Sequence, residues 1–423
     1  MMKVLLLATI LIVAIYVWKQ GYHDNSPSPH ITFKEAPILS PEQEQQNSFD
    51  YLNTLRYKAG MSKFLHNAYL EKSAQSHASY LTYHDSIGHY EEEGKSGFTG
   101  VLPKERILHA GYKTPLSMEN VSSQTIGYKK SIEGLFSAIY HRFGFLDFQM
   151  DEVGVGVSQN PKDSSKTAYV YNMGVYEIND LCAGVSYRGR GDYTYNICAD
   201  KTFRIEKKAF DRAYHACYIR NQKVVIYPYA GQEDVPPAFF DEDPDPLPEY
   251  RVSGFPISIQ FNPAYFKFVR LKSFELFVAG EKVEETLLYD HISDINSRFK
   301  RNEFALFPLK RLDWDREYHV KVVYDVLGKT EQKEWSFTTQ KLPFKPIMID
   351  QPTSSIQISA KHPTLLYFKP QHPDDILDDI KYDSELDISF VDKNTIMITT
   401  NAKLGEVFQL HLSHRDITLL VSH

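Results

Sequence analysis

The chain has 423 residues, 42% of them hydrophobic, and a formal net charge of −7. That apolar share supports genuine cores, and a negative balance without a basic tract sets nucleic acid aside as a partner. Its three cysteines, Cys182, Cys198 and Cys217, are too few for a disulfide scaffold.

The first predicted element is N-terminal. Lys3 precedes an unbroken apolar run from Val4 to Trp18, and Lys19-Gln20-Gly21 end it. A basic start before a short apolar core is the pattern of an export signal. The run ends in Tyr16, Val17, Trp18 and Lys19, a poor cleavage site whose aromatics suit a membrane interface. Residues 1–21 are therefore expected to be an uncleaved signal anchor or a cleaved signal peptide, with the anchor favoured. The rest of the chain would be membrane-anchored facing the periplasm or cell exterior, or secreted. No later stretch reads as a membrane span. Roughly 400 residues remain, room for two to four domains.

Residues 22–40 are aperiodic and read as a linker. Ser40-Pro41-Glu42 opens a helix with Phe49, Leu52 and Leu55 at helical spacing, and Gly60 stops it. Asn67 caps a second helix carrying Leu70, Ala74, His77, Ala78 and Leu81. A Gly-rich loop is expected from Gly88 to Gly111. A third helix is predicted over about Lys129–Phe143, followed by strands at Val153–Ser158 and Thr167–Tyr176. This mixture points to an α+β sandwich. Cysteines mark a connector over residues 181–222. In an oxidising compartment three pairings are open, and the short Gly- and Tyr-rich excursion between them favours Cys182–Cys198.

From Val224 the pattern turns to strands. Runs at Val224–Tyr227, Ile257–Phe261, Ser273–Ala279, Glu303–Pro308, Tyr318–Tyr324 and Glu334–Thr338 are separated by turn residues. Short strands at this density predict an all-β sandwich over residues 223–341, and its last two strands resemble the closing hairpin of bacterial immunoglobulin-like modules. Residues 345–423 alternate apolar and polar residues and read as a small β module.

Chemistry concentrates near the third predicted helix. Ile132, Leu135, Phe136, Ile139 and Phe143 form one apolar stripe, and His141 falls on the opposite side above small residues. Such a placement suits the wall of a cleft. Glu91-Glu92-Glu93 reads as solvated surface. Asp241-Glu242-Asp243 with Asp245 offers carboxylates for Ca²⁺, but the interleaved Pro244, Pro246 and Pro248 favour a stiff connector. Asn120-Val121-Ser122 fits a glycosylation sequon and is set aside because it overlaps a better-motivated motif.

Several motifs fall in a telling order. They are Leu52-Asn53-x-Leu55-Arg56 with Gly60, Leu70 with Ala74 and His77-Ala78, Gly88-His89, Glu119-Asn120, His141-Arg142, and Gly154-Val155-Gly156-Val157. Together they resemble the CAP (SCP) domain of cysteine-rich secretory, antigen 5 and pathogenesis-related proteins, in its bacterial branch. The resemblance covers about residues 41–176, and we place the domain at 41–180. It implies an α-β-α sandwich with a cleft holding two His and two acidic residues. By position, His89, Glu119 and His141 match three of the four. The second acid, expected just before the last His, is missing, because Leu135-Phe136-Ser137-Ala138 contains none and Glu133 is out of register. His66, His77, His84 and His109 match no ligand position of the family.

Two imidazoles and a carboxylate are a candidate three-ligand Zn²⁺ set with an open position, so His89, Glu119 and His141 are also the metal candidates. No catalytic residue is assigned. The expected function is a cell-envelope protein whose CAP cleft binds or scaffolds an envelope ligand or protein. The alternative is a metal-dependent hydrolase acting on peptide or cell-wall material.

Overall fold

The computed structural model describes residues 37–422, except 361, 379, 413 and 414. The expected anchor or signal lies outside the described residues, as does the linker before residue 37. Among the described residues no helix is long and apolar enough to cross a membrane.

Helix α1 (Pro41–Ala59) begins with Pro at its first turn, where a missing N–H breaks no bond. It ends at Gly60 with φ 109°, a left-handed turn that glycine makes without steric cost. Helix α2 (Ala68–His84) is capped by Asn67, whose Oδ1 accepts from the Tyr69 and Leu70 amides at 2.9 and 3.2 Å. Four strands form the domain's sheet: β1 (Leu65–His66), β2 (Ser117–Ser123), β3 (Glu152–Asn160) and β4 (Asp163–Gly174), in the order β1-β3-β4-β2. The β2 segment was not predicted as a strand. Its Ser, Glu and Asn content has weak strand preference, and it is antiparallel pairing with β4 that fixes it.

Strand β3 shows how the layers meet. Val153, Val155 and Val157 are buried in the core that also holds Leu52, Leu55, Ile132 and Phe136. Gly154 and Gly156 face α2. A Cβ on Gly154 would fall 1.9 Å from the Glu71 amide nitrogen, and one on Gly156 would fall 2.1 Å from the Ala74 carbonyl carbon. The Gly-Val-Gly-Val pattern is thus the groove into which α2 sinks, with small Ala74 and Ala78 on the helix side.

Two helices depart from expectation. The segment read as a Gly-rich loop contains α3 (Pro103–Ala110), whose inward face carries Arg106, Ile107 and Ala110. A buried arginine on that face hides the helical stripe from an apolar-periodicity reading. The single helix expected over Lys129–Phe143 is instead α4 (Tyr128–Ser137) and α5 (Ile139–Phe145), broken where Ala138 turns extended at ψ 114°. The break redirects the stripe. Phe136 stays in the core with Leu52 and Leu55 and packs on Tyr227 at 4.7 Å, while Ile139 and Phe143 join Leu247, Tyr289, Phe299 and Phe307 of the β region.

After β4 come α6 (Tyr176–Ala183) and α7 (Lys207–Ile219). Cys182 and Cys198 are disulfide-bonded with Cα atoms 5.4 Å apart, and Cys217 is a buried free thiol pushed up to about 12 by its burial.

The β region is a sandwich. One sheet has the order Thr286–Tyr289, Glu303–Pro308, Ile257–Phe261, Val224–Tyr227. The other runs Glu281–Lys282, Arg270–Val278, Glu317–Val326, Lys329–Thr339, Gln232–Val235. Phe261 meets Tyr324 across the sandwich with ring centroids 4.7 Å apart. All of Ile257–Phe261 is buried, including Ser258 and Gln260. Those two face the CAP domain: Arg142 donates to Ser258 Oγ at 3.1 Å, and Gln260 donates to the Leu146 carbonyl at 3.4 Å. Residues 37–350 and 367–376 accordingly make one compact unit.

The second unit comprises residues 351–366 and 377–423. Its sheet runs Thr353–Ser359, Arg415–Ser422, Val407–Leu412, Ile380–Tyr382, and a hairpin pairs Leu386–Asp392 with Thr395–Thr400. Ile356, Ile358, Leu410, Ile417 and Leu419 are buried on alternate positions, as a half-buried sheet requires.

Gly156→Ala should lower the unfolding free energy by about 1–3 kcal/mol, the usual cost of overpacking. Urea denaturation measures it, and an unchanged midpoint would mean that α2 does not need the groove.

Candidate functional site

Glu119 stands on β2 opposite Asn172 of β4. Because neighbouring strand residues point to opposite faces, Glu119 and Asn120 serve different sides. Asn120 is buried and donates to the His141 carbonyl at 2.8 Å, holding α5. That burial leaves the sequon asparagine inaccessible. The Glu119 side chain is 1% exposed and receives Arg106 Nη2 at 2.8 Å on each oxygen, while His89 Nδ1 lies 3.0 Å from Oε1.

Arg106 is the centre of a buried chain of charge. Its Nη1 donates to the His89 carbonyl at 2.9 Å, and its Nε lies 3.8 Å from Glu91. Glu91 is buried, unlike its exposed neighbours Glu92 and Glu93, which corrects the reading of all three as solvated surface. It accepts from the Thr99 amide at 2.7 Å and lies 2.9 Å from His77 Nδ1. His77 Nε2 is 3.1 Å from the Gly88 carbonyl. Both nitrogens of that buried ring lie within hydrogen-bond distance of acceptors. The buried chain runs His77, Glu91, Arg106, Glu119 and ends on His89. The chain also pins the loop that carries His89, since Gly88 and His89 both give their carbonyls to it.

Burial works to raise the Glu119 carboxyl, but bonds from His89 and Arg106 outweigh it and hold it below the usual carboxylate range. Glu91 is lowered in the same way: burial opposes, and His77, the Thr99 amide and Arg106 prevail.

The second imidazole sits on α5. The ring of His141 lies nearly parallel to that of His89, at 17°, with centroids 6.4 Å apart. Its Nδ1 is 3.0 Å from Glu242 Oε2. Glu242, whose side chain is 2% exposed, was read as part of a stiff connector. It is a fourth member of the constellation, which sequence reasoning missed. The only signal was an acidic run about a hundred residues from His141, outside the family pattern. Among the residues singled out, the structure gathers His89, Glu119 and His141 around one cleft of about 620 Å³, with Lys104 on the CAP side and Arg298 on the sandwich side.

The donors do not suit the expected metal. A tetrahedral zinc held by both imidazoles at ~2.0–2.1 Å would place their centroids ~5 Å apart, short of the 6.4 Å found. Both oxygens of Glu119, the third expected ligand, are taken by Arg106. Among the described residues, no three or more His, Cys, Asp or Glu side chains gather as a metal set. The arrangement is instead two imidazoles, each backed by a buried carboxylate at Nδ1, which leaves the Nε2 atoms for a ligand.

Removing one partner from a buried ion pair strands the other, at about 3–5 kcal/mol. Arg106→Ala should lose that much in urea denaturation at neutral pH. A loss below about 1 kcal/mol, the scale of an exposed pair, would mean the charge chain is solvated. Lowered carboxyls contribute stability above their unfolded value of 4.5 that is lost as pH falls through the lower folded value. Glu119→Gln should therefore flatten the loss of stability below about pH 4.5, and an unchanged acid limb would contradict this. Zinc titrated calorimetrically should show no uptake that His89→Ala or His141→Ala removes.

Residues 49–174 match the family model described as CAP, the cysteine-rich secretory protein family. No curated protein matches the chain. Among solved structures, an outer surface protein of Borrelia burgdorferi is 17% identical, covering 33% of this chain and 97% of that one, with a TM-score of 0.29. An extracellular protein containing an SCP domain from Bacillus anthracis is 19% identical, covering 33% of this chain and 44% of that one, with a TM-score of 0.28. Fibronectin(III)-like modules of Clostridium thermocellum CbhA are 10% identical over 47% of this chain and 94% of that one, with a TM-score of 0.17. The order of helices and strands, the buried Glu119-Asn120 pair and the family match over 49–174 agree, and this part of the chain is a CAP domain of the cysteine-rich secretory protein family, joined to a large all-β region.

Proposed function

We propose that the protein works outside the cytoplasm, in the cell envelope, and that its CAP cleft binds an extended ligand against a second wall formed by the sandwich. The observation that carries this reading is the cleft itself. It is about 620 Å³, within the range of ligand sites. It is open, and its lining mixes Met118, Phe143 and Pro244 with His89, His141, Lys104 and Arg298. Apolar surface with a few directed polar groups suits binding by a mixed surface, as a peptide or a glycan presents. The Borrelia protein is an outer surface protein and the Bacillus protein is extracellular, and the apolar N-terminal run fits the same address. Whether that run is retained is decided by sequencing the mature N-terminus, for which an intact start at Met1 supports the anchor.

The test is retention. Purified protein should co-sediment with insoluble envelope material, peptidoglycan included. His141→Ala should weaken retention by about tenfold or more, equivalent to about 1.4 kcal/mol. Absence of retention on every envelope fraction sinks the binding reading. A second reading, hydrolysis, is favoured by one observation: two imidazoles with open nitrogens can move protons. Release of soluble fragments from peptidoglycan or of peptides from casein, abolished by His89→Ala or His141→Ala, would replace binding with catalysis.

A further inference from the structure

The CAP domain lacks one of its expected acids, yet His141 is not without a carboxylate. We propose that Glu242, supplied by the segment leading into the sandwich, is the positioning residue of His141, so that the cleft is completed only across the two domains.

The argument runs from hydrogen bonds. Glu242 Oε2 lies 3.0 Å from His141 Nδ1, and both of its oxygens accept from the Tyr140 amide at 3.2 Å. A carboxylate in the charged form usual at neutral pH only accepts and has no proton to give. The proton between Glu242 and His141 therefore belongs to the ring. That fixes the tautomer with Nδ1–H, and Nε2 is left as the nitrogen turned to the cleft. Glu119 does the same for His89 from the opposite wall. The two rings lie nearly parallel, each backed by a carboxylate that is almost fully buried.

The segment that follows Glu242 is held by the sandwich. Asn296 donates to the Asp245 carbonyl at 2.7 Å and to the Tyr140 hydroxyl at 3.0 Å. Tyr289 donates to the Pro246 carbonyl at 2.6 Å. Tyr140 and Phe143 pack edge-on against Phe299, at 5.8 and 4.9 Å. Residues 242–247 are thereby clamped between α5 and the loop 290–299. The break at Ala138 makes room for this: α5 turns toward the sandwich and carries His141 to Glu242. The family match ends at residue 174, so the residue that sets the second imidazole lies well outside it.

The experiment is long-range ¹H–¹⁵N NMR on protein labelled with [¹⁵N]histidine, at a fixed pH where the ring is neutral. Expected in the wild type is a His141 ring protonated at Nδ1, with a slowly exchanging, downfield Nδ1 proton. Glu242→Gln keeps an acceptor oxygen but removes its charge, so that proton should move upfield while the tautomer persists. Glu242→Ala should shift the ring toward the Nε2–H form that free imidazole prefers, with His89 signals unmoved. A wild-type ring protonated at Nε2 overturns the proposal. So does a Nδ1 proton that is unmoved in Glu242→Gln, a reading that stands even if the alanine variant does not fold. A role for Glu242 limited to bracing α5 would cost stability and leave the tautomer alone. The result is independent of ligand, so it stands or falls apart from the binding reading above.

Discussion

The structure depends on a sheet that is covered on both faces. Its central strand, Ile257–Phe261, sends Ile257, Ile259 and Phe261 into the sandwich and turns Ser258 and Gln260 to the CAP domain. Arg142 enters that second face. Its Nε donates to the Phe136 carbonyl at 2.6 Å and its Nη1 to the Pro256 carbonyl at 2.7 Å, and its guanidinium lies 4.9 Å from the centres of the Tyr227 and Phe255 rings. A fully buried cation is costly unless its donors are met. Here carbonyls from both domains take Nε and Nη1 and two aromatic rings flank the guanidinium, while Nη2 is buried without a hydrogen-bond partner. Pulling the domains apart would strand the charge and expose Ile139, Phe143 and Phe136 together.

The same helix that carries Arg142 carries His141, so the interface and the site are set by one turn of chain. On the other wall, Arg106 joins Glu91 to Glu119 and holds the backbone of His89. Each imidazole thus rests on an arginine-supported scaffold: Arg106 through a carboxylate and a carbonyl, Arg142 through its anchoring of α5. Neither arginine is a surface group free to exchange partners. Rigid support of this kind is what a site needs if its two open nitrogens are to keep a fixed separation.

Much of this was legible in the sequence, and the failures have physical causes. Pro41, Gly60 and Asn67 marked helix ends because capping chemistry is local. Gly154-Val155-Gly156-Val157 was legible as a strand, and only its reason, the seating of α2, needed three dimensions. Strands such as Val224–Tyr227 and Glu303–Pro308 were read to the residue. Helix α3 was missed because its inward residue is an arginine, and Glu91 was misread because nothing local distinguishes it from Glu92 and Glu93. The break at Ala138 was invisible because the apolar stripe runs straight through it while its two halves face different cores. Ser258 and Gln260 carry no local sign of the domain they face, since alternation reports polarity and not what lies opposite. Glu242 was hidden for the most basic reason: its partner is a hundred residues away in a different fold.

The shared core bears on what happens when the chain is cut. The connector between α6 and α7 contains exposed residues such as Val185 and Tyr195, the kind of segment proteases enter first. Within residues 183–197 the Cys182–Cys198 bond would keep the two ends covalently joined. Even beyond that loop, severing the backbone would not separate the halves, because Arg142 and the doubly covered sheet hold them without it. A nicked molecule would keep its cleft, so an intact chain and an intact site are separate properties in this protein.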